Sequence, residues 1–128
     1  MKKYSKKGLE KRKLEREGLG EFFLKHVQII KDGRLTCQEC GTRLIGDVSE
    51  VCHRLPKSYY KSLMTDDSNV LYLCSYKSPQ DCHSRYDGSN EQLQSLQIFS
   101  REKELIEQLI TKATEKTNYK LYERWLID

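Results

Sequence analysis

Apolar residues recur at helical spacing near both ends of the chain. Gly18 and Gly20 are expected to interrupt the thin apolar stripe of the opening segment. In the stretch EFFLKHVQIIKDG that follows, Phe23, Val27 and Ile30 stand three or four residues apart, which predicts a helix of about three turns that ends at Asp32-Gly33. After Ser89-Asn90 a longer apolar stripe predicts a second helix. Its members are Leu93, Leu96, Phe99, Leu105, Ile106, Leu109 and Ile110. The segment YKLYERWLI predicts a last amphipathic turn or two that packs back on the body.

The centre of the chain predicts two short strands and a short helix. DVSEVCHRL is a strand-like run that Pro56 ends, because proline cannot donate to a sheet ladder. NVLYLCS, rich in β-branched and aromatic residues after the turn sequence TDDSN, predicts the second strand. SPQDCHSRYDG predicts a helix of about two turns, with Ser78 as N-cap, Pro79 at the first helical position and Gly88 as terminator.

With 128 residues, the chain has the length of one domain with one modest core. We divide it into a basic N-terminal arm over 1–18, a central core over 35–90 and C-terminal helices over 91–128. Because 33% of the residues are charged, apolar material is scarce and a metal staple is expected. No apolar run approaches the roughly 18 residues of a membrane span, and the N-terminal lysines lack the apolar stretch of a secretory signal. We therefore expect a cytoplasmic protein with no membrane partner.

The positive charge is concentrated at the N-terminus. Residues 1–30 hold nine Lys and Arg against four Glu, whereas residues 31–90 hold eight basic against eight acidic residues. The excess indicates either a solvated helix or an arm that contacts nucleic-acid phosphates, and both interpretations stay open.

Four of the five cysteines form two pairs. Cys37 and Cys40 have the C-x2-C spacing that lets two thiolates bind one tetrahedral ion from a tight turn. The seven residues between Cys74 and Cys82 can loop out and bring the second pair together. Disulfides are rare inside cells, so the two pairs predict one closed, structural Zn²⁺ site. The alternative is a set of free thiols, buried or redox-active.

A second set of polar residues lies in the same centre. His83 and Asp87 are four residues apart on the predicted short helix, so they can share a divalent cation and leave positions for water and substrate. His53, at the end of the first strand, has a side chain suited to taking a proton from water. The Asn69 carboxamide can hold that imidazole or its loop. Taken singly, these histidines fit ordinary packing or surface roles, and His26 is expected to be a packed or surface histidine rather than a ligand.

The segments CQECG, VCHRLPKS, SNVLYLC and DCHSRYDG, in this order, resemble the HNH nucleases, whose ββα-metal fold has the same order of elements. The resemblance covers about residues 37–87 and looks like the phage and mobile-element branch, in which a zinc knuckle braces a small nuclease core. It implies an α+β fold: a ββα-metal core braced by a four-cysteine zinc site and flanked by N- and C-terminal helices. It also implies His53 as general base, Asn69 as the motif's asparagine, and His83 with Asp87 as ligands of a catalytic cation.

The reaction that the resemblance implies is hydrolysis of a phosphodiester bond in double-stranded DNA. The implied cation is Mg²⁺ or Mn²⁺, with Ni²⁺ or Zn²⁺ as alternatives, and it stabilises the developing charge and the leaving 3′ oxygen. The protein would act in a host cell as a monomer or homodimer.

Cys52 departs from the family's pattern, because many members carry Asp or His there as a further ligand. A thiolate is a poor ligand for magnesium. Either the two helix ligands and water suffice and Cys52 is a packing residue, or the site takes a softer metal, or catalysis is impaired. We favour the first of these.

Basic and aromatic residues surround the expected site. The five predicted to contact DNA phosphates are Arg54, Lys57, Lys61, Lys77 and Arg85. Four tyrosines lie among them, of which we expect at least two to fill the core: Tyr59, Tyr60, Tyr76 and Tyr86.

Two other functions are consistent with the sequence. One is a non-catalytic nucleic-acid-binding zinc module on the same fold, which Cys52 favours. The other is a protein-interaction factor, in which the apolar stripe from Leu93 to Ile110 is an interface rather than core.

Overall fold

The computed structural model describes residues 6–126, and of residues 6–12, 14 and 15 the helical backbone alone. Helices and a two-stranded sheet together make the fold α+β. In chain order the helices and strands are α1 (Lys6–Gly33), β1 (Val51–His53), β2 (Val70–Tyr72), α2 (Cys82–Tyr86), α3 (Asn90–Gln94), α4 (Phe99–Lys112) and α5 (Tyr119–Tyr122). Single 3-10 turns occupy Val48–Glu50, Lys61–Leu63, Asp67–Asn69 and Glu123–Trp125.

The two strands form an antiparallel hairpin followed by a short helix. Val51 pairs with Tyr72, Cys52 with Leu71 and His53 with Val70. Leu71 is fully buried and Cys52 nearly so, so this hairpin is part of the core. The order β1, loop, β2, α2 is the one expected from the sequence.

Helix α1 is longer than predicted. We expected Gly18 and Gly20 to interrupt it, and this expectation is wrong, because the helix runs unbroken through both. Glycine costs a helix about 1 kcal/mol relative to alanine, a cost that the buried Phe22 and Ile30 further along the helix offset. Residues 1–5 of the predicted basic arm lie outside the described residues, and the rest of the arm belongs to α1.

Helix α2 begins later than predicted. Asp81, and not Ser78, is its N-cap: the Asp81 carboxylate accepts from the Ser84 amide, and the helix itself starts at Cys82. The residues before it are held in turns, because the Ser78 amide donates to the Ser75 carbonyl and the His83 amide donates to the Cys74 carbonyl. The helix is consequently little more than one turn long.

The apolar stripe from residue 93 to 110 lies on two helices instead of one. The break follows α3, and Glu39 stabilises the restart because its carboxylate accepts from the Ile98 amide at 3.0 Å. Five of the seven stripe residues are buried: Leu93, Leu96, Phe99, Ile106 and Leu109. In the part of the chain that is described, this stripe is therefore mainly core.

The C-terminal segment packs back on the body, as predicted. The Trp125 ring stacks on Phe99 with centroids 5.4 Å apart and an interplanar angle of 4°. The Arg124 guanidinium donates to the Tyr86 and Gly88 carbonyls, which joins this segment to the end of α2. Among residues 6–126, no helix has the length and apolar character needed to cross a membrane.

Candidate functional site

Four cysteine sulfurs meet at one end of the hairpin. The sulfurs of Cys37, Cys40, Cys74 and Cys82 all lie within 4.8 Å of one another, and all four cysteines are free. Cys40 is exposed and the other three are buried. The predicted pairs therefore come together, although the second pair is separated by seven residues.

The first pair is presented by a tight turn. The Gly41 amide donates to the Cys37 carbonyl, and Gly41 has φ +79°, a conformation that favours glycine. The second pair is closed by the start of α2, where the Cys82 amide points to the Cys74 sulfur at 3.4 Å.

The donor set fits a tetrahedral ion. Four thiolates at about 2.3 Å from zinc are about 3.8 Å apart, and the sulfurs of Cys40 and Cys74 are 3.7 Å apart. Burial opposes ionisation of Cys40, but hydrogen bonds from Thr42 outweigh it and the pKa of Cys40 falls to about 7. The cluster can therefore bind a metal such as zinc, with all four positions taken by protein.

A cleft of about 690 Å³ opens beside α2. His53 from β1 and His83 with Asp87 from α2 line it, together with Lys57 from the loop and Phe23 from α1. The structure thus brings five of the predicted site residues to one cavity: His53, His83 and Asp87, and two of the predicted DNA contacts, Arg54 and Lys57.

His53 is held by a backbone carbonyl and by aromatic rings. Its Nε2 donates to the Met64 carbonyl oxygen at 2.8 Å, so in the neutral ring Nδ1 carries the lone pair. The rings of Phe22 and Phe23 lie 5.7 and 5.6 Å from the imidazole. Burial lowers the pKa of His53 below its usual value, and the charge of Lys57 adds to this effect. The ring is therefore neutral and oriented at neutral pH.

His83 and Asp87 lie on one face of α2, as their spacing predicts. The His83 Nδ1 donates to the Ser49 carbonyl at 2.6 Å, and its Nε2 is 3.0 Å from Asp87 Oδ2. The Asp87 carboxylate raises the pKa of His83, against the effect of burial. A cation bound between the two side chains would take the place of the proton they share, with Ser49 fixing the ring.

Cys52 is buried in the core, as the packing interpretation predicts, and it also lies close to His83 and Asp87. Its sulfur is within 4.8 Å of the possible ligand atoms of both. Its thiol donates to the His53 carbonyl at 3.6 Å. Burial, with the nearby Asp87 and Glu102 carboxylates, raises the pKa of the Cys52 thiol well above its usual value.

Asn69 braces the loop between the strands and does not line the cleft. Its Oδ1 accepts from the Leu55 amide at 2.8 Å, and its Nδ2 donates to the carbonyls of Leu55 and Leu63 at 3.0 and 3.2 Å. The side chain is fully buried. We predicted that it holds the imidazole or its loop, and the contacts are those of the loop. Asn69 is thus a positioning residue.

The five basic residues differ in their surroundings. Lys57 and Lys61 are exposed, Arg85 is half-buried, and Lys77 is paired with Asp47 at 2.6 Å on the surface. Arg54 does not fit a phosphate contact, because its guanidinium forms a buried ion pair of 2.6 Å with Glu102 and also donates to the Ser68 carbonyl. It fastens the hairpin to α4.

The other side chains with predicted roles are placed as follows. Tyr60 and Tyr86 are buried, and Tyr59 and Tyr76 are exposed, so two of the four tyrosines fill the core as expected. Of the two placements expected for His26, the structure shows the packed one: the residue is 3% exposed, and its ring nitrogens bond the Tyr72 hydroxyl and Asp67.

Two parts of the site had no signal in the sequence. The carbonyl groups of Ser49 and Met64 orient His83 and His53, and a backbone carbonyl leaves no residue-type pattern to read. The sequence also offers no reason to predict a role for Glu102, because only the folded structure shows its ion pair with Arg54.

Comparison of the chain with models of protein families, with curated proteins and with solved structures gives no match. Likeness to a characterised protein therefore assigns neither a family nor an activity. The function has to be inferred from the side chains of the cleft and of the cysteine cluster.

Proposed function

We propose that the chain is a metal-dependent endonuclease of the HNH type that hydrolyses phosphodiester bonds in double-stranded DNA. The observation that carries this proposal is the cleft itself, where an oriented, neutral imidazole and a histidine–carboxylate pair face the same space. The strand, loop, strand and helix that present these groups follow the order of the ββα-metal fold.

His53 is the general base of the proposed reaction. Its Nε2–H is committed to the Met64 carbonyl, so Nδ1 is the atom that takes the proton of the attacking water. The Met64 carbonyl then stabilises the imidazolium that forms. The low pKa of the ring keeps it unprotonated before the reaction.

His83 and Asp87 bind the cation that the sequence predicts. The Ser49 carbonyl fixes the Nδ1–H tautomer of His83, which turns Nε2 toward Asp87. A divalent ion held there supplies electrostatic stabilisation of the phosphate charge and of the leaving 3′ oxygen. Lys57 lines the same cleft and is placed to contact a neighbouring phosphate.

The proposed role of the four-cysteine cluster is structural. Zinc bound there has no open position, so it contributes folding energy and no chemistry. Cys74 follows β2 and Cys82 begins α2, so the ion fixes the helix that carries His83 and Asp87 against the hairpin that carries His53.

A plasmid-nicking assay tests the proposal. Wild type, His53→Ala and His83→Ala are incubated with supercoiled plasmid and Mg²⁺, Mn²⁺, Co²⁺, Ni²⁺ or Zn²⁺ in turn. We expect wild type to nick the plasmid and both variants to lose at least about 100-fold in rate while their fold persists. His26→Gln is the matched control, because His26 lies outside the cleft, and its rate per folded molecule should match that of wild type.

Binding to the same plasmid separates the rival functions. If wild type and the variants are equally inert with every cation but retard the plasmid, the chain is a nucleic-acid-binding zinc module. If it neither cuts nor binds DNA, it is an interaction factor. Either result contradicts the proposed nuclease.

A further inference from the structure

Three donors of different chemistry lie together under the cleft. They are the thiol of Cys52, the imidazole of His83 and the carboxylate of Asp87, with ligand atoms all within 4.8 Å of one another. The 3.0 Å between His83 Nε2 and Asp87 Oδ2 is the separation of two donors that bind one ion at a right angle from about 2.1 Å each. This cluster is separate from the four-cysteine cluster.

The two elements that carry these donors are held by contacts that do not include an ion in the cleft. Cys52 is the middle residue of β1 and pairs with Leu71, so the hairpin fixes its backbone. His83 is held by the Ser49 carbonyl just before β1. The Cys52 thiol donates its proton to the His53 carbonyl at 3.6 Å, which leaves the sulfur lone pairs available to an ion.

We infer that Cys52 is a third ligand of the cation in the cleft and that it makes the site selective for a thiophilic divalent ion over magnesium. Zinc, cobalt and nickel accept a thiolate beside an imidazole and a carboxylate, whereas magnesium prefers oxygen donors and retains its waters. On binding, the ion displaces the thiol proton, which passes to water.

Three protein donors leave at least one position on the bound ion open. This is the arrangement of catalytic zinc sites, where water or substrate occupies the open position. The four-cysteine cluster differs because its protein donors fill every position. The catalytic consequence rests on the proposed nuclease function, whereas the ligand role of Cys52 does not.

Cobalt substitution tests the ligand role without using activity. The protein carrying zinc in the four-cysteine cluster is titrated with Co²⁺ while metal content and absorbance are recorded. We expect wild type to take up a second ion with a thiolate-to-cobalt charge-transfer band. Cys52→Ser should lose the band and bind the second ion at least about 10-fold more weakly, which is the smallest cost of losing even an outer-shell partner of a metal site.

Two further variants keep the test decisive if Cys52→Ser folds poorly. His83→Ala, at a half-buried position beside the cleft, should also lose the second ion. Cys52→Asp should bind it without the band and prefer magnesium. A cobalt spectrum and affinity unchanged in Cys52→Ser, or uptake of a single ion by wild type, would overturn the inference.

The same samples distinguish the two proposals. Magnesium-dependent nicking that Cys52→Ser does not alter contradicts the ligand role and leaves the nuclease intact. A second ion with the charge-transfer band but no nicking contradicts the nuclease and supports the ligand role of Cys52.

Discussion

The two cysteine-containing clusters of this protein both take a donor from α2 and differ in what surrounds them. The first joins four thiols, two from a tight turn, one just after β2 and one at the start of α2. The second joins the buried thiol of Cys52 to an imidazole and a carboxylate that line a cleft of about 690 Å³. The first is closed by protein and the second faces space that a substrate can enter.

This difference distinguishes a metal site that can only stabilise the fold from one that can also bind water or substrate. Four thiolates satisfy a tetrahedral ion completely, so the role we propose for the first cluster is to stabilise the fold. A mixed set of three donors would leave a position for water, and His53 lines the cleft beside it. Because α2 carries donors of both clusters, we expect an ion in the closed site to position the open one.

The largest expected effect is the loss of stability when the four-cysteine cluster loses a thiol or its metal. Cys40 is exposed, so Cys40→Ser removes little packing and its cost reports on the metal. Structural zinc contributes about 10–16 kcal/mol of apparent binding free energy, comparable to the whole stability of a small domain. We expect Cys40→Ser, or chelation of wild type, to abolish the cooperative thermal transition followed by circular dichroism.

Cys52→Ala is the matched control for that change, because it removes a thiol from the open cluster. It should retain the zinc of the closed cluster and a cooperative transition. A chelated wild type that melts as before would show that the four cysteines hold no structural ion.

A smaller loss of stability is expected when the loop between β1 and β2 loses the hydrogen bonds of Asn69. Asn69→Ala leaves the Leu55 amide and the Leu55 carbonyl without their partner, whereas the Leu63 carbonyl still accepts from the Asp66 amide. Each buried group left unpaired costs about 1–3 kcal/mol, so we expect the free energy of unfolding in urea to fall by at least about 2 kcal/mol.

Asn90→Ala is the comparison variant for that loop. Asn90 is exposed and its one side-chain contact is with Arg124, so its cost should stay within about 0.5 kcal/mol. Equal costs for the two variants would contradict the bracing role of Asn69.

The smallest expected effect is a shift in the pH dependence of nicking. The general base must be unprotonated, so at saturating cation the rate falls as pH drops through the pKa of His53. Burial puts that pKa below its usual value, and the positive charge of Lys57 lowers it further. We therefore expect a plateau at neutral pH and an acid limb below the usual histidine range, about 6.5.

Lys57→Gln sharpens this prediction. It removes a charge that disfavours the imidazolium, so the acid limb should move to higher pH. Lys61→Gln is the control, because Lys61 is exposed and is not among the charges acting on His53. If the acid limb does not move in Lys57→Gln, the group that titrates there is not His53.

Spacing alone predicted the parts of the site that depend on local geometry. The separation of four residues between His83 and Asp87 places both on one face of α2. The C-x2-C spacing predicted the first half of the cysteine cluster, and the β-branched run predicted β2. In these cases, residues near in sequence are forced near in space.

The rest depended on tertiary contacts that residue types do not encode. Gly18 and Gly20 were expected to break a helix. The helix runs through both, because burial of Phe22 and Ile30 fixes its later turns. Arg54 was taken for a surface cation, but Glu102, 48 residues away, binds it inside the fold. Cys52 was predicted to be a packing residue and is buried in the core, but the sequence does not show that its sulfur lies within 4.8 Å of the possible ligand atoms of His83 and Asp87.

The dependence of the plasmid-nicking rate on metal content per chain tests most directly whether the protein has one closed and one open metal site. Protein with the closed cluster filled by zinc is titrated with cobalt, and the initial rate is measured at each step. We expect no nicking at about one bound ion per chain. The rate should then rise as the second ion binds and reach a plateau near two ions per chain. A full rate at one ion per chain, or no nicking at two, would contradict the division between a closed and an open site.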